Sequence, residues 1–188
     1  ERKTKIEKFD TIRVKQAALT NKKLFINYNE GFLGFSLKAD TLLCECSEFD
    51  EIIVFRQNGS YLVSKVEDKK FVGKNIVYAG LWKKNDRHMV YNVVYLNKGD
   101  NKTYIKRFSI ESILKDKEYP VSKKVESAKI LYITGNPNSE SETIKINLHF
   151  KCKAKKKEFE YDFNDIMIKS RLSKGNILTK YPVRKIIQ

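Results

Sequence analysis

The sequence predicts an all-β fold, a propeller-like or pinwheel-like array of hairpin blades, and three observations carry that expectation. Short β-rich runs alternate with Gly or Asn turns along the chain, helical periodicity is scarce, and hairpins of one grammar recur at irregular intervals. A single hairpin blade cannot bury its apolar face alone, so divergent repetition implies neighbours that stack. At about 45 residues per blade, a chain of 188 residues holds roughly four blades, read as one unit over residues 1–188.

In chain order, Leu24-Phe25-Ile26-Asn27-Tyr28 turns through Asn29-Glu30-Gly31 into residues 32–37. The next hairpin is the clearest. Ile52-Ile53-Val54-Phe55 leads into Gln57-Asn58-Gly59-Ser60 and returns as Tyr61-Leu62-Val63, and the Asn-Gly pair is expected to supply the positive φ angles of a type I′ turn. Val90-Tyr91-Asn92-Val93-Val94-Tyr95 pairs with Tyr104-Ile105-Lys106-Arg107-Phe108 across the polar loop Asn97-Lys98-Gly99-Asp100-Asn101. Ile144, Ile146, Leu148 and Phe150 share one face of a strand, and Phe159, Tyr161 and Phe163 answer them, with the Lys-rich residues 151–157 as the tip. Last, Ile166-Met167-Ile168 and Ile177-Leu178-Thr179 flank a turn at Lys174-Gly175-Asn176.

The chain carries 38 Lys and Arg against 23 Asp and Glu, a formal charge of +15, and such an excess points to a polyanionic partner. Its distribution is uneven. No acidic residue follows Asp165, while Lys169, Arg171, Lys174, Lys180, Arg184 and Lys185 do; Lys151, Lys153, Lys155, Lys156 and Lys157 form a second cluster. Arg2, Lys3, Lys5, Lys8, Arg13, Lys15, Lys22 and Lys23 make a third, and the segment with Glu45, Glu48, Asp50 and Glu51 is acidic. Polarised charge indicates a binding footprint rather than uniform solubilisation.

Chemistry of another kind finds little support. Cys44, Cys46 and Cys152 cannot all pair, and a reducing cytoplasm suits them. Cys44 and Cys46 lack a second ligand pair at zinc spacing and read as small buried hydrophobes. His149 is expected on the polar face of a strand, His88 on a charged surface stretch, Trp82 in the core, and Asp162 and Asp165 in structural roles. Gly31 and Gly34 are turn glycines without the Gly-Lys-Ser/Thr of a phosphate loop. No apolar run approaches the roughly 20 residues of a membrane span. The chain opens on Glu1, and it is read as a piece of a longer protein.

At these residues the sequence resembles a known family. Gly31-Phe32-Leu33-Gly34-Phe35-Ser36-Leu37-Lys38-Ala39-Asp40, then Asp50-Glu51-Ile52-Ile53-Val54-Phe55 with Asn58-Gly59 and Lys65-Val66, look like the first blades of the C-terminal domain of bacterial topoisomerase IV A subunits. Phe71-Val72-Gly73-Lys74-Asn75-Ile76, Asp116-Lys117-Glu118-Tyr119, Lys129-Ile130-Leu131-Tyr132 with Asn136-Pro137-Asn138, and Lys169-Ser170-Arg171 with Gly175-Asn176-Ile177-Leu178-Thr179-Lys180-Tyr181-Pro182-Val183 extend the likeness, in a form similar to the Bacteroidetes branch.

The resemblance implies a β-pinwheel of about four antiparallel blades that exchange strands, a non-catalytic module whose basic rim binds and bends duplex DNA beside the breakage-reunion core. It points to Arg56, Lys65, Lys106, Arg107, Lys169, Arg171, Lys174 and Lys180 as phosphate contacts, with Lys153, Lys155, Lys156 and Lys157 behind them. The implied partners are double-stranded DNA, the ATPase subunit, and a second copy of the same A subunit, with no membrane. No cofactor is expected in this domain, and ATP and Mg would act elsewhere in a cytoplasmic, nucleoid-associated parent. Gyrase tails carry a Gln-Arg-Arg-Gly-Gly-Arg-Gly box for wrapping DNA. This chain has no such heptapeptide, so relaxation and decatenation are favoured over the gyrase alternative. Two other readings compete: a protein-interaction propeller, against which the lack of recurring Trp-Asp pairs counts, and a single-strand binder using exposed aromatics.

Overall fold

A computed structural model describes residues 22–37, 41–123, 125 and 127–188. The basic cluster of Arg2 to Lys15 and the motif residues Lys38, Ala39 and Asp40 lie outside the described residues. Strands dominate, joined by turns and two short 3₁₀ segments, and no α-helix occurs among the described residues.

Four hairpins each seed a sheet. In the first sheet β1 (Lys22–Asn27) and β2 (Phe32–Gly34) form the hairpin and β3 (Thr41–Cys46) pairs with β1. In the second, β4 (Glu51–Arg56) and β5 (Ser60–Lys65) form the hairpin. The chain then returns to the first sheet as β6 (Lys70–Phe71), beside β2, before β7 (Ile76–Trp82) pairs with β4. The third hairpin, β8 (Val90–Asn97) and β9 (Lys102–Ser109), repeats the pattern: β10 (Tyr119–Pro120) goes back to β5, and β11 (Ala128–Asn136) pairs with β8. The fourth is β12 (Thr143–Leu148) and β13 (Glu158–Asp162); β14 (Ile168–Lys169) and β15 (Asn176–Thr179) go back to β9, and β16 (Val183–Ile187) closes on β12. Each of the first three blades thus borrows an edge strand from the chain of the next one, which is the strand exchange of a β-pinwheel.

Alternation along the strands explains how the blades stack. Ile52, Val54 and Leu62 join Leu24, Ile26 and Leu33 in one core between the first two sheets. Ile53, Phe55, Tyr61 and Val63 point the other way and join Tyr91, Val93, Tyr95 and Phe108 between the second and third. Val94 and Ile105 join Ile144, Ile146, Leu148 and Phe163 between the third and fourth. Central strands are therefore buried on both faces, and the stability of the array resides in three seams.

Several local expectations change. The β4–β5 turn is not type I′: Gly59 has φ +82 while Asn58 is not in the positive-φ region, and the Gly59 N–H donates to the Arg56 carbonyl at 3.0 Å. This is a type I turn closed by a left-handed glycine, and a Cβ on Gly59 would stand 2.6 Å from that of Ala128. Residues 166–168 and 177–179 do not pair with each other; β14 runs parallel and β15 antiparallel along the same edge of β9. Phe150 lies beyond β12 and is exposed, and His149 sits in the following turn, stacked on Phe150 at 4.6 Å, rather than in a strand. Trp82 is in the core and its indole N–H donates to the Ile110 carbonyl at 2.9 Å. Asp162 caps the 3₁₀ turn of Phe163–Asp165 by accepting from the Asn164 N–H, and Cys46 is buried in the first seam.

Candidate nucleic-acid interface

The basic residues expected to touch phosphate fall into three groups. Arg56, Lys106 and Arg107 are removed from the contact set by burial, with 8%, 0% and 5% of their surface exposed. The reason is the double-sided burial of β9 and the bulge at the end of β4 between Phe55 and Arg56. Arg56 makes an ion pair with Glu118 at 2.6 Å. Lys106 shares the face of Tyr104 and Phe108, where its Nζ donates to the carbonyls of Val121 and Arg171, each at 2.7 Å. Arg107 points to the opposite face, where its guanidinium donates to Asn92 Oδ1 at 3.1 Å and to the carbonyls of Phe163, Ser139 and Glu140 at 3.4, 2.8 and 3.1 Å. Asn92 in turn donates to Glu142 at 2.9 Å. These are seam residues, and they fasten blades to one another.

A second group is surface-bound but engaged. Lys169 donates to Asn176 Oδ1 at 2.5 Å, Arg171 lies 4.8 Å over the Tyr119 ring, and Lys174 pairs with Asp100 at 3.1 Å over the Tyr104 ring. Hydrogen bonding to Tyr104, then Asp100, raises the Lys174 pKa, so this lysine stays charged at neutral pH. Lys157 donates to the Phe150 carbonyl at 2.7 Å.

The third group has no ionic partner among the described residues, although Lys180 lies 5.7 Å over the Tyr181 ring. Lys65, Lys153, Lys155, Lys156 and Lys180 are exposed, and none forms an ion pair with a described carboxylate. The same holds for Lys74, Lys98 and Lys129, which sequence reading did not single out. For Lys74 and Lys98 the signal lies in the turn motifs Gly73-Lys74-Asn75 and Asn97-Lys98-Gly99, where a lysine beside a tight turn is forced outward, whereas Lys129 lies within β11. Eight carboxylates, Glu48, Glu51, Glu67, Asp100, Glu111, Asp116, Glu118 and Glu158, each sit against a cation, which leaves most of the described lysines without an ionic partner. The net positive charge is thus expressed as unpaired surface lysines, spread over the second, third and fourth sheets and their turns.

Lys106 is the group of the set whose pKa moves toward neutrality. Burial, reinforced by the charge of Arg171, pushes its pKa down to about 7 from the ordinary 10.5. Between these values the unfolded chain holds a proton that the folded one has released, so stability rises with pH through that window and the buried charge is a penalty below it. The expected result is a urea midpoint that increases from pH 6.5 to about 7.5, below the ordinary thiol value of about 8.5, and a flattened profile in Lys106→Met. A variant with the same rise as the parent contradicts this assignment.

Comparison with known proteins agrees with the geometry. The family described as Topoisomerase C-terminal domain, Bacteroidota, matches residues 23–188. The A subunit of DNA topoisomerase 4 from Borreliella burgdorferi is 38% identical over 120 residues, covering 63% of this chain and 19% of that protein. The chain therefore spans about a fifth of the length of that relative. The resemblance to the tails of topoisomerase IV A subunits read from the motifs holds, and the chain belongs to the Bacteroidota family of topoisomerase C-terminal domains.

Proposed function

We propose that this domain binds and bends duplex DNA on behalf of the A subunit of a type IIA topoisomerase, and that it carries no catalytic step itself. The observation that supports this most is the inventory of surface charge: exposed lysines on successive blades stand without an ion pair to a described carboxylate. Phosphate neutralisation by such lysines releases counterions and needs no base reading. Bending a site of 20–30 base pairs costs on the order of 1–6 kcal/mol, which contacts spread along an arc can offset.

The parent enzyme is read as topoisomerase IV rather than gyrase, in keeping with the name of the Borreliella burgdorferi relative. Relaxation and decatenation, the second A subunit, the ATPase subunit, ATP and Mg, and a cytoplasmic place on the nucleoid all belong to that proposal. The test is competition between a duplex of about 40 base pairs and a single strand of equal length, with end-to-end energy transfer reporting bending of the duplex. Duplex preference with shortening of the end-to-end distance is expected. Equal or stronger single-strand binding would point to aromatic stacking instead, and no binding to either would leave a protein-interaction scaffold.

A further inference from the structure

Where the second and third sheets meet at their turns, an open cavity of about 490 Å³ is lined by Arg56, Gln57, Lys74, Asn75, Lys98 and Lys129 among others, with no carboxylate in its wall among the described residues. Its parts come from four places in the chain: the β4–β5 turn, the segment before β7, the β8–β9 turn and β11. Main-chain hydrogen bonds hold them in register. The Gln57 N–H donates to the Asn75 carbonyl, the Ile130 N–H to the Gln57 carbonyl and the Lys98 N–H to the Ser127 carbonyl, each at 2.9 Å.

The three lysines here have no ionic compensation among the described residues. Lys74, Lys98 and Lys129 are exposed and make no ion pair with a described acid. Arg56 is buried behind them and pairs with Glu118, which lies outside this cavity, so the three lysines and not Arg56 are the phosphate contacts. Cations gathered on a pre-formed concave wall repel one another and focus a positive potential into the cavity. An oxyanion relieves that repulsion, and the exposed side-chain amides of Gln57 and Asn75 are neutral donors beside the charges.

We infer that this cavity is a phosphate subsite that seats a backbone phosphate of duplex DNA at the junction of the second and third blades. The inference rests on the DNA-binding reading and sharpens it, because it picks one cluster from a basic surface and ranks it above the loop of Lys153, Lys155, Lys156 and Lys157. A subsite built from two blades at once also reads whether those blades are correctly stacked, so binding there depends on the fold of the seam.

The test compares the whole chain with the variant Lys74→Gln/Lys98→Gln/Lys129→Gln and with a control of equal charge change, Lys83→Gln/Lys84→Gln/Lys123→Gln. All six lysines are exposed, so both variants fold. The expected result is that log K against log salt becomes shallower by about 2–3 in the first variant, at about 0.9 per phosphate lost, and by much less in the control. Pyrophosphate titrated against the wild-type chain should shift the amide resonances of Gln57, Asn75 and Lys98, with no such shift in the triple variant. A steep wild-type slope that the triple variant leaves unchanged overturns the subsite while sparing the DNA-binding reading. Pyrophosphate shifts without any loss of slope assign the cavity to a free oxyanion and overturn its DNA role. A wild-type chain that shows no duplex binding removes the broader reading itself.

Discussion

Arg107→Met destabilises the domain by about 3–5 kcal/mol, the range for breaking a buried, hydrogen-bonded charge arrangement by removing one member. Methionine approximates the aliphatic stem but offers no donor. The carbonyls of Phe163, Ser139 and Glu140 and the Asn92 side chain, all served by one guanidinium, would then be left without it. Each orphaned acceptor away from water carries its own desolvation cost. Because Arg107 ties β9 to the segment entering the fourth sheet, the loss should appear as a lower urea midpoint. Duplex binding by the folded remainder should keep its salt slope. A phosphate-contacting arginine would give the reverse pattern, unchanged stability with the slope reduced by about 0.9.

Phe55→Ala costs about 3–5 kcal/mol, the range for a buried large aromatic cut back to a methyl. Phe55 is fully buried, and its ring lies 5.0 Å from Tyr61, 5.1 Å from Tyr91, 6.0 Å from Tyr78 and 6.4 Å from Phe108 between centroids. Two of those partners belong to the second sheet and two to the third, so the cavity opens in the seam between blades rather than inside one. Phe55→Leu should recover part of the loss, since it restores volume without the ring-edge geometry. Thermal unfolding of the pair measures both. An alanine variant within about 1 kcal/mol of the parent would mean that the blades are stabilised individually and not by their stacking.

How far the fold could be read from sequence follows from where each residue's partner lies. The four hairpins were legible because both strands and the turn are contiguous: Ile144 faces Tyr161 and Ile146 faces Phe159 in the register that alternation suggests. The exchanged strands were not legible from local pattern. Lys70–Phe71, Tyr119–Pro120 and Ile168–Lys169 are two residues each, and they pair with segments of a neighbouring blade. Only the family resemblance carried that feature.

The candidate site divided along similar lines. Alternation assigns a lysine in a strand to the solvent face when the opposite face is apolar. In β9, however, Tyr104 and Phe108 occupy one face and Ile105 the other, and apolar residues on both parities mark a strand covered on both sides. Lys106 and Arg107 were misassigned because that mark was passed over. Lys74, Lys98 and Lys129 escaped attention for a different reason. They are far apart in the chain, and only the return of β7 and β11 to the sides of their own hairpins brings them to one cavity.

The salt dependence of duplex affinity tests the central claim most directly. Unpaired lysines on successive blades predict that log K falls with log salt at a slope of about −5 or steeper, at roughly −0.9 for each phosphate neutralised, with weaker binding of a single strand. A slope near −1, or affinity for a single strand that matches the duplex, would contradict the account and leave a basic β-pinwheel whose partner is something other than duplex DNA.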